Sequence, residues 1–210
     1  VAAFLVFYRD TLGSVALPYT EDFSQTTRLD LRQFGGSWQL QDGALVQRDP
    51  ELPDMFAVLP AHLADGASGS ISTTVRFTSP NDGAGVLFGM EQADDRRGSH
   101  LVRFGRGKDG AAYLAYGSFD RDLVFTGQGS VPMPDLPESV RLTVRFGPST
   151  YDVLVDDTAV AQGVPLLFQG GHVALTTWFS SAVFDDILLD ESAAPVAAAS
   201  ATPAAPAQPD

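Results

Sequence analysis

Between Val140 and Val155 the chain reads VRLTVRFGPSTYDVLV. Val140, Leu142, Val144 and Phe146 alternate with Arg141, Thr143 and Arg145, a period of two that sends one set of side chains to each face of an extended strand. One face is therefore expected to be buried and the other wet. After Gly147-Pro148-Ser149-Thr150 the alternation resumes with Tyr151, Val153 and Val155, so the two runs are predicted to pair as a hairpin across a four-residue loop. A sheet with one solvated side must cover its other side, and a second antiparallel sheet stacked on it does so economically.

The same texture extends outward from this hairpin, from about Leu17 to Glu191. Short segments rich in Val, Leu, Phe, Tyr and Thr alternate with clusters of Gly, Pro, Asn and Asp, the spacing of a sandwich or barrel. Strands are predicted at Ser70–Thr78, Gly85–Glu91, Ser99–Arg106, Ala111–Gly117, Val140–Phe146, Tyr151–Val155, His172–Thr177 and Val183–Leu189. Turns are marked by Gln41-Asp42-Gly43, Pro80-Asn81-Asp82-Gly83, Lys108-Asp109-Gly110 and Asp156-Asp157. Helical periodicity is almost absent, with only Pro60–Leu63 suggesting a short helical piece. About a dozen strands are expected, more than an immunoglobulin-type domain of about 100 residues needs. The predicted fold is all-β, an antiparallel two-sheet β-sandwich of the jelly-roll kind over residues 17–191. Phe77, Phe88, Phe104, Phe146 and Phe184 fall in strand interiors and are assigned to the core.

The flanking segments differ. Residues 1–16 open with VAAFLVFY, eight apolar residues ahead of Arg9 and Asp10, short of the roughly 20 that span a bilayer. Two readings stand: the tail of a transmembrane or signal segment lying upstream, or a first strand or helix turn packed on the core. Residues 192–210, SAAPVAAASATPAAPAQPD, cannot bury enough surface to offset chain entropy and are expected to be a disordered, partly polyproline-like linker.

Composition removes several function classes. Among 210 residues, 13 Lys and Arg face 26 Asp and Glu, a net charge of −13, which repels phosphate backbones, so no nucleic-acid partner is expected. With no cysteine there is no disulfide, no thiolate nucleophile and no Cys-ligated metal. Twelve of the 13 basic residues are Arg; with the high Ala content this suggests a GC-rich bacterial source.

Glu21-Asp22-Phe23-Ser24, followed by Trp38-Gln39-Leu40-Gln41-Asp42-Gly43-Ala44-Leu45, resembles the opening of concanavalin A-like (laminin G-like) jelly-roll domains. Asp82-Gly83-Ala84-Gly85-Val86-Leu87-Phe88-Gly89 is similar to their "aGvlF" strand. Val140–Phe146 with Tyr151–Asp156, then Gly170-Gly171-His172-Val173-Ala174-Leu175 and Val183-Phe184-Asp185-Asp186-Ile187, are similar to their later hairpin and closing strands. The likeness runs from about Asp22 to Leu189, departing at Asp157-Thr158, where a Gly is common. It implies a concanavalin A-like fold, which hosts lectins, carbohydrate-binding modules, adhesion domains and glycosidases. The first expectation is a non-catalytic carbohydrate-binding or adhesion module, extracellular or on a bacterial cell surface, tethered to a membrane and binding glycan or an extracellular protein. A glycoside hydrolase, or the accessory module of one, is the second. A structural or interaction ectodomain with no small ligand is the third.

Candidate chemistry is sparse. Sugar binding needs an aromatic face and hydroxyl-matching polar groups. Trp178 continues a strand in which Val173, Leu175 and Thr177 share one side, so it points outward if that side is core; Arg103 and Tyr113 are placed on the same open face. The alternative is that Tyr113 and Trp178 cap the core while Arg103 lays its stem over apolar surface. The resemblance also implies a structural calcium where first and last strands meet, drawing on Glu21, Asp22, Asp185 and Asp186, of which adjacent strand residues cannot both point the same way. A paired-carboxylate strand of the glycosidase type is missing. Glu91, Asp94 and Asp95 read as a loop, Asp120-Arg121-Asp122 as a surface ion cluster, His62, His100 and His172 as structural, and Gly105–Gly110 as a hairpin turn.

Overall fold

A computed structural model describes residues 15–25, 31–79 and 83–191. The apolar opening run, the Ala/Pro-rich end and the centre of the Pro80–Gly83 turn lie outside the described residues. Fifteen strands follow one another: β1 (Tyr19–Glu21), β2 (Arg32–Phe34), β3 (Trp38–Gln41), β4 (Ala44–Gln47), β5 (Met55–Leu63), β6 (Gly69–Phe77), β7 (Ala84–Met90), β8 (Ser99–Arg106), β9 (Ala112–Phe119), β10 (Phe125–Pro132), β11 (Ser139–Phe146), β12 (Thr150–Val155), β13 (Thr158–Pro165), β14 (Gly171–Thr177) and β15 (Ala182–Asp190). The described residues contain no helix.

The strands form two sheets. One runs β13-β12-β11-β6-β15-β4-β3, with β1 also paired to β15; the other runs β10-β9-β8-β7-β14-β5-β2. Every strand pair is antiparallel, and the layers form the concanavalin A-like jelly-roll sandwich expected from the alternation.

Val140, Leu142, Val144 and Phe146 are all buried, packed in one cluster with Phe88, Val102, Phe104 and Leu114 from the opposite sheet. The hairpin closes as predicted: Phe146 pairs with Tyr151, and the Gly147 N–H donates to Thr150 O at 2.8 Å. At the next turn Asp156 and Asp157 have φ of 46° and 62°, the two positive values that a tight two-residue hairpin requires and that Asp tolerates. All five phenylalanines assigned to the core are buried.

One expectation is corrected. Pro60–Leu63 is not helical but the end of β5. Three β5 residues, 59 to 61, face a single β14 residue between the pairs His172↔His62 and Ala174↔Val58. Such an irregularity accommodates a proline, which cannot donate to the ladder.

The seven-stranded sheet also carries a second apolar layer on its outer face. Phe56, Val58, Leu87, Leu101, Phe119 and Ala174 are buried there beneath Phe34 and Ala93.

Candidate functional site

Strand parity places the site. On β8, Val102 and Phe104 face the core, so Arg103 and Gly105 face outward. The register carries that row across the sheet: Arg103 lies opposite Ala115 and Gly85, Gly85 opposite Thr176, Thr176 opposite Phe56 and Phe56 opposite Phe34. One step along, Gly105 lies opposite Tyr113. Gly85 has no room for a side chain, because a Cβ there would collide with the Val102 carbonyl. At Gly105 a Cβ would sit 2.8 Å from the Tyr113 hydroxyl, so the phenol ring lies across that glycine.

Trp178 stands at the end of this face, where the chain leaves β14 and crosses to β15 in the other sheet. Its N–H donates to Gly83 O (2.7 Å), and the next N–H, that of Phe179, donates to Leu52 O (3.0 Å). Phe179 takes φ of 45°, turning the chain between layers. Beneath the turn, Gln47 Nε2 approaches Thr177 Oγ1 (2.9 Å), Ser180 O (3.3 Å), Asp49 O (2.8 Å) and Met55 Sδ (2.9 Å). Its two hydrogens are shared among these acceptors, and two of them bracket Trp178 in sequence. Ser79 Oγ adds a hydrogen bond to Ser180 Oγ at 2.7 Å.

The three candidate residues come together. The Arg103 guanidinium carbon sits 5.0 Å from the centroid of the Trp178 ring, within cation–π range. The indole meets the Phe179 ring edge-on at 5.3 Å and remains 36% exposed. Tyr113 and Arg103 are half-buried on the same face. Burial lowers the Arg103 guanidinium from its ordinary value; Tyr113 and Asp54 partly offset this, and Arg96 adds to it. Arg96, from the β7–β8 loop, reaches over this face with its guanidinium 4.5 Å from the Phe119 ring and pairs with Asp54. Trp178 and Tyr113 therefore do not cap the core but lie on the far side of the sheet from it. Gln47, Phe179 and the Arg96–Asp54 pair were not foreseen, although Gln47 sits in phase with buried Leu45 on β4, a polar residue at a core-facing position.

The other candidates resolve differently. At the opposite end of the sandwich an open depression of 970 Å³ is lined by His62, Asp65, Glu91, Asp120, Arg121 and Asp122. Arg121 holds Glu91 at 2.6 Å, keeping that carboxyl below its ordinary value, the reverse of what a general acid needs. Asp120 Oδ1 accepts from the N–H groups of Asp122 and Val124 at 2.8 and 2.9 Å, which makes it a turn-former. His62 and His172 meet edge-on at 4.8 Å. His100 is fully buried. Its Nε2 accepts the N–H groups of Leu167 (3.0 Å) and Phe168 (3.1 Å), Nδ1 has no partner among the described residues, and burial pushes its pKa down to about 4.

The four expected calcium ligands are not gathered into one cluster among the described residues. Glu21, Asp22 and Asp186 line one depression, but Arg141 lines it with them. Glu21 accepts the Phe23 N–H, Asp22 the N–H and hydroxyl of Ser24, and Asp185 the Asp186 N–H. Among the described residues no three such ligands converge closely enough to hold a metal ion. Glu21, Asp22 and Asp185 each serve their own turn, and Asp186 accepts the Thr74 hydroxyl of β6 at 3.2 Å.

No family model matches the chain, and no curated protein matches it in sequence. Solved structures do match in shape. The carbohydrate-binding module CBM66 from Bacillus subtilis superposes with a TM-score of 0.64 at 18% identity, over 76% of this chain and 94% of that one. The carbohydrate recognition domain of Emp47p gives 0.60 at 13%, over 85% and 97%. The Crh5 transglycosylase in complex with NAG gives 0.59 at 12%, over 86% of each chain. At these identities the likeness extends to the fold.

Proposed function

We propose that this chain is a non-catalytic carbohydrate-binding module whose site is the outer face of the seven-stranded sheet around Trp178, Arg103 and Tyr113. The observation that carries the reading is the presentation of Trp178. A large amphipathic ring stands partly exposed at the end of a sheet face, held by backbone bonds on both sides, with an arginine over it and a tyrosine on the strand next to that arginine. Beside them the face carries no side chain at Gly85 and only a methyl group at Ala115, while the Tyr113 ring lies over Gly105. Aromatic surface for the apolar face of a pyranose, with Arg and Tyr donors for its oxygens, is the chemistry that sugar recognition asks for. CBM66 and the Emp47p domain, similar in fold, carry carbohydrate binding in their names, which supports the reading.

A transglycosylase also shares the fold. The non-catalytic reading is supported by the ion-paired Glu91 and turn-forming Asp120 in the depression at the sandwich end. The module is further read as displayed outside a bacterial cell and tethered to its membrane through a segment leading into residues 1–16; protease shaving of intact cells, with release of the domain, tests that placement.

The site is tested on a glycan array followed by calorimetric titration. Trp178→Ala is expected to weaken binding by at least tenfold while unfolding at the wild-type temperature. Undiminished binding in that variant would overturn the site.

A further inference from the structure

The acidic residues that lie within strands are unevenly divided between the layers. The seven strands β2, β5, β7, β8, β9, β10 and β14 contain no Asp and no Glu, yet they hold Arg32, Arg103, Arg106 and all three histidines. The strands of the other sheet carry Glu21, Asp152, Asp185, Asp186 and Asp190 beside Arg76, Arg141 and Arg145.

Arg103 lies within the acid-free layer. Among the described residues its guanidinium has no hydrogen-bond acceptor and no ion-pair partner; its contact is the Trp178 ring. Asp54, the carboxylate that acts on it electrostatically, is paired with Arg96. A half-buried cation has lost much of its hydration, and without a counter-charge that loss stands uncompensated. Held over the indole by cation–π attraction, the guanidinium keeps N–H groups that no acceptor among the described residues takes. Those groups form the planar fork that receives a carboxylate through two parallel hydrogen bonds. The distant carboxylates do not forbid an anion here, because at physiological salt a charge is screened over about 8 Å.

We propose that the ligand of this face is an acidic saccharide, a uronate-type sugar whose carboxylate is received by the Arg103 fork while Trp178 and Tyr113 take its ring. The inference rests on the reading of the face as a carbohydrate site and names the class of sugar.

The test uses the full chain against an array of uronate oligosaccharides, including oligogalacturonides, the same oligogalacturonides with methyl-esterified carboxylates, and neutral and sulfated oligosaccharides, with hits titrated by calorimetry. Binding of at least one uronate series is expected, with tenfold or greater loss on esterification or, for the other series, against the matching neutral sugar. Arg103→Gln and the charge-keeping Arg103→Lys are each expected to lose at least tenfold more affinity for the uronate than for the esterified or neutral sugars. Should Arg103→Gln fail to fold, Arg103→Lys and the ester comparison still decide. Equal binding of acidic and neutral sugars, unaffected by the Arg103 variants but lost in Trp178→Ala, overturns the acidic assignment and leaves the carbohydrate site standing. Preference for sulfate over carboxylate overturns the uronate class. Binding to no saccharide removes both readings together.

Discussion

Changing the pH tests the account of His100 more sharply than any surface mutation. The imidazole is fully buried, stacked on Phe88 at 5.1 Å and edge-on to Tyr151 at 5.3 Å, and its Nε2 accepts two backbone N–H bonds. An acceptor nitrogen cannot also be protonated, so the folded state demands the neutral ring. Burial lowers its pKa from 6.5 to about 4, a gap of about 2.5, or about 3.4 kcal/mol at 1.36 kcal/mol per unit. The sign follows from which state binds protons. Between pH 6.5 and 4 the unfolded chain takes up a proton that the folded chain refuses, so this contribution is whole above pH 6.5 and is lost as pH falls toward 4. Between pH 6.5 and 4.5 the loss comes to about 2 kcal/mol. Carboxylates titrate in the same range, so the measurement is a difference: urea unfolding of wild type and His100→Gln at half-unit pH steps. The variant loses ring packing and starts about 1–3 kcal/mol less stable at pH 7, and its deficit is expected to shrink by about 2 kcal/mol by pH 4.5. Parallel curves, or an imidazole that titrates near 6.5 in the NMR spectrum of the folded protein, would refute the reasoning.

Other expectations come from the same packing. Leu142→Ala empties a fully buried position in the central cluster and should cost about 2–5 kcal/mol, read by chemical denaturation. Gln47→Leu deprives the Thr177 hydroxyl and the Ser180 carbonyl of their shared donor. It is expected to destabilise the fold by about 1–3 kcal/mol and to broaden or shift the Trp178 fluorescence, which a purely distant core change would leave alone. Gly105→Ala places a methyl group under the Tyr113 ring. Because the ring can swing away, binding should fall several-fold with little change in melting temperature; a large drop in melting temperature with intact binding would contradict the placement of Tyr113.

Much of the sandwich was legible because alternation survives wherever one face is wet, as in Val140–Phe146. It failed where that condition fails. Met55–Leu63 has Met55, Ala57 and Leu59 in the main core but Phe56 and Val58 under the outer apolar layer, so the run is apolar throughout and strand cannot be told from buried helix. At β10, glycines and an exposed edge gave too little pattern, and the three-residue β1 and β2 gave too few positions. Parity carried the site further than composition did: that Trp178, Arg103 and Tyr113 share a face follows from counting residues along β8, β9 and β14. Which partners hold those side chains did not. The Gln47 hub joins strands 130 residues apart, and the hold of Ser24 on Asp22 or of Arg96 on Asp54 depends on loop paths that carry no periodic signal.

The strands of one layer carry arginines and no acid, and those of the other carry five acids against three arginines, so the strands differ in charge from one side of the sandwich to the other. Within about 8 Å of an extended polyanion that difference favours approach by the layer with acid-free strands. The aromatic end of that side would then meet the polymer first, so orientation during approach is built into the division of charge between the layers.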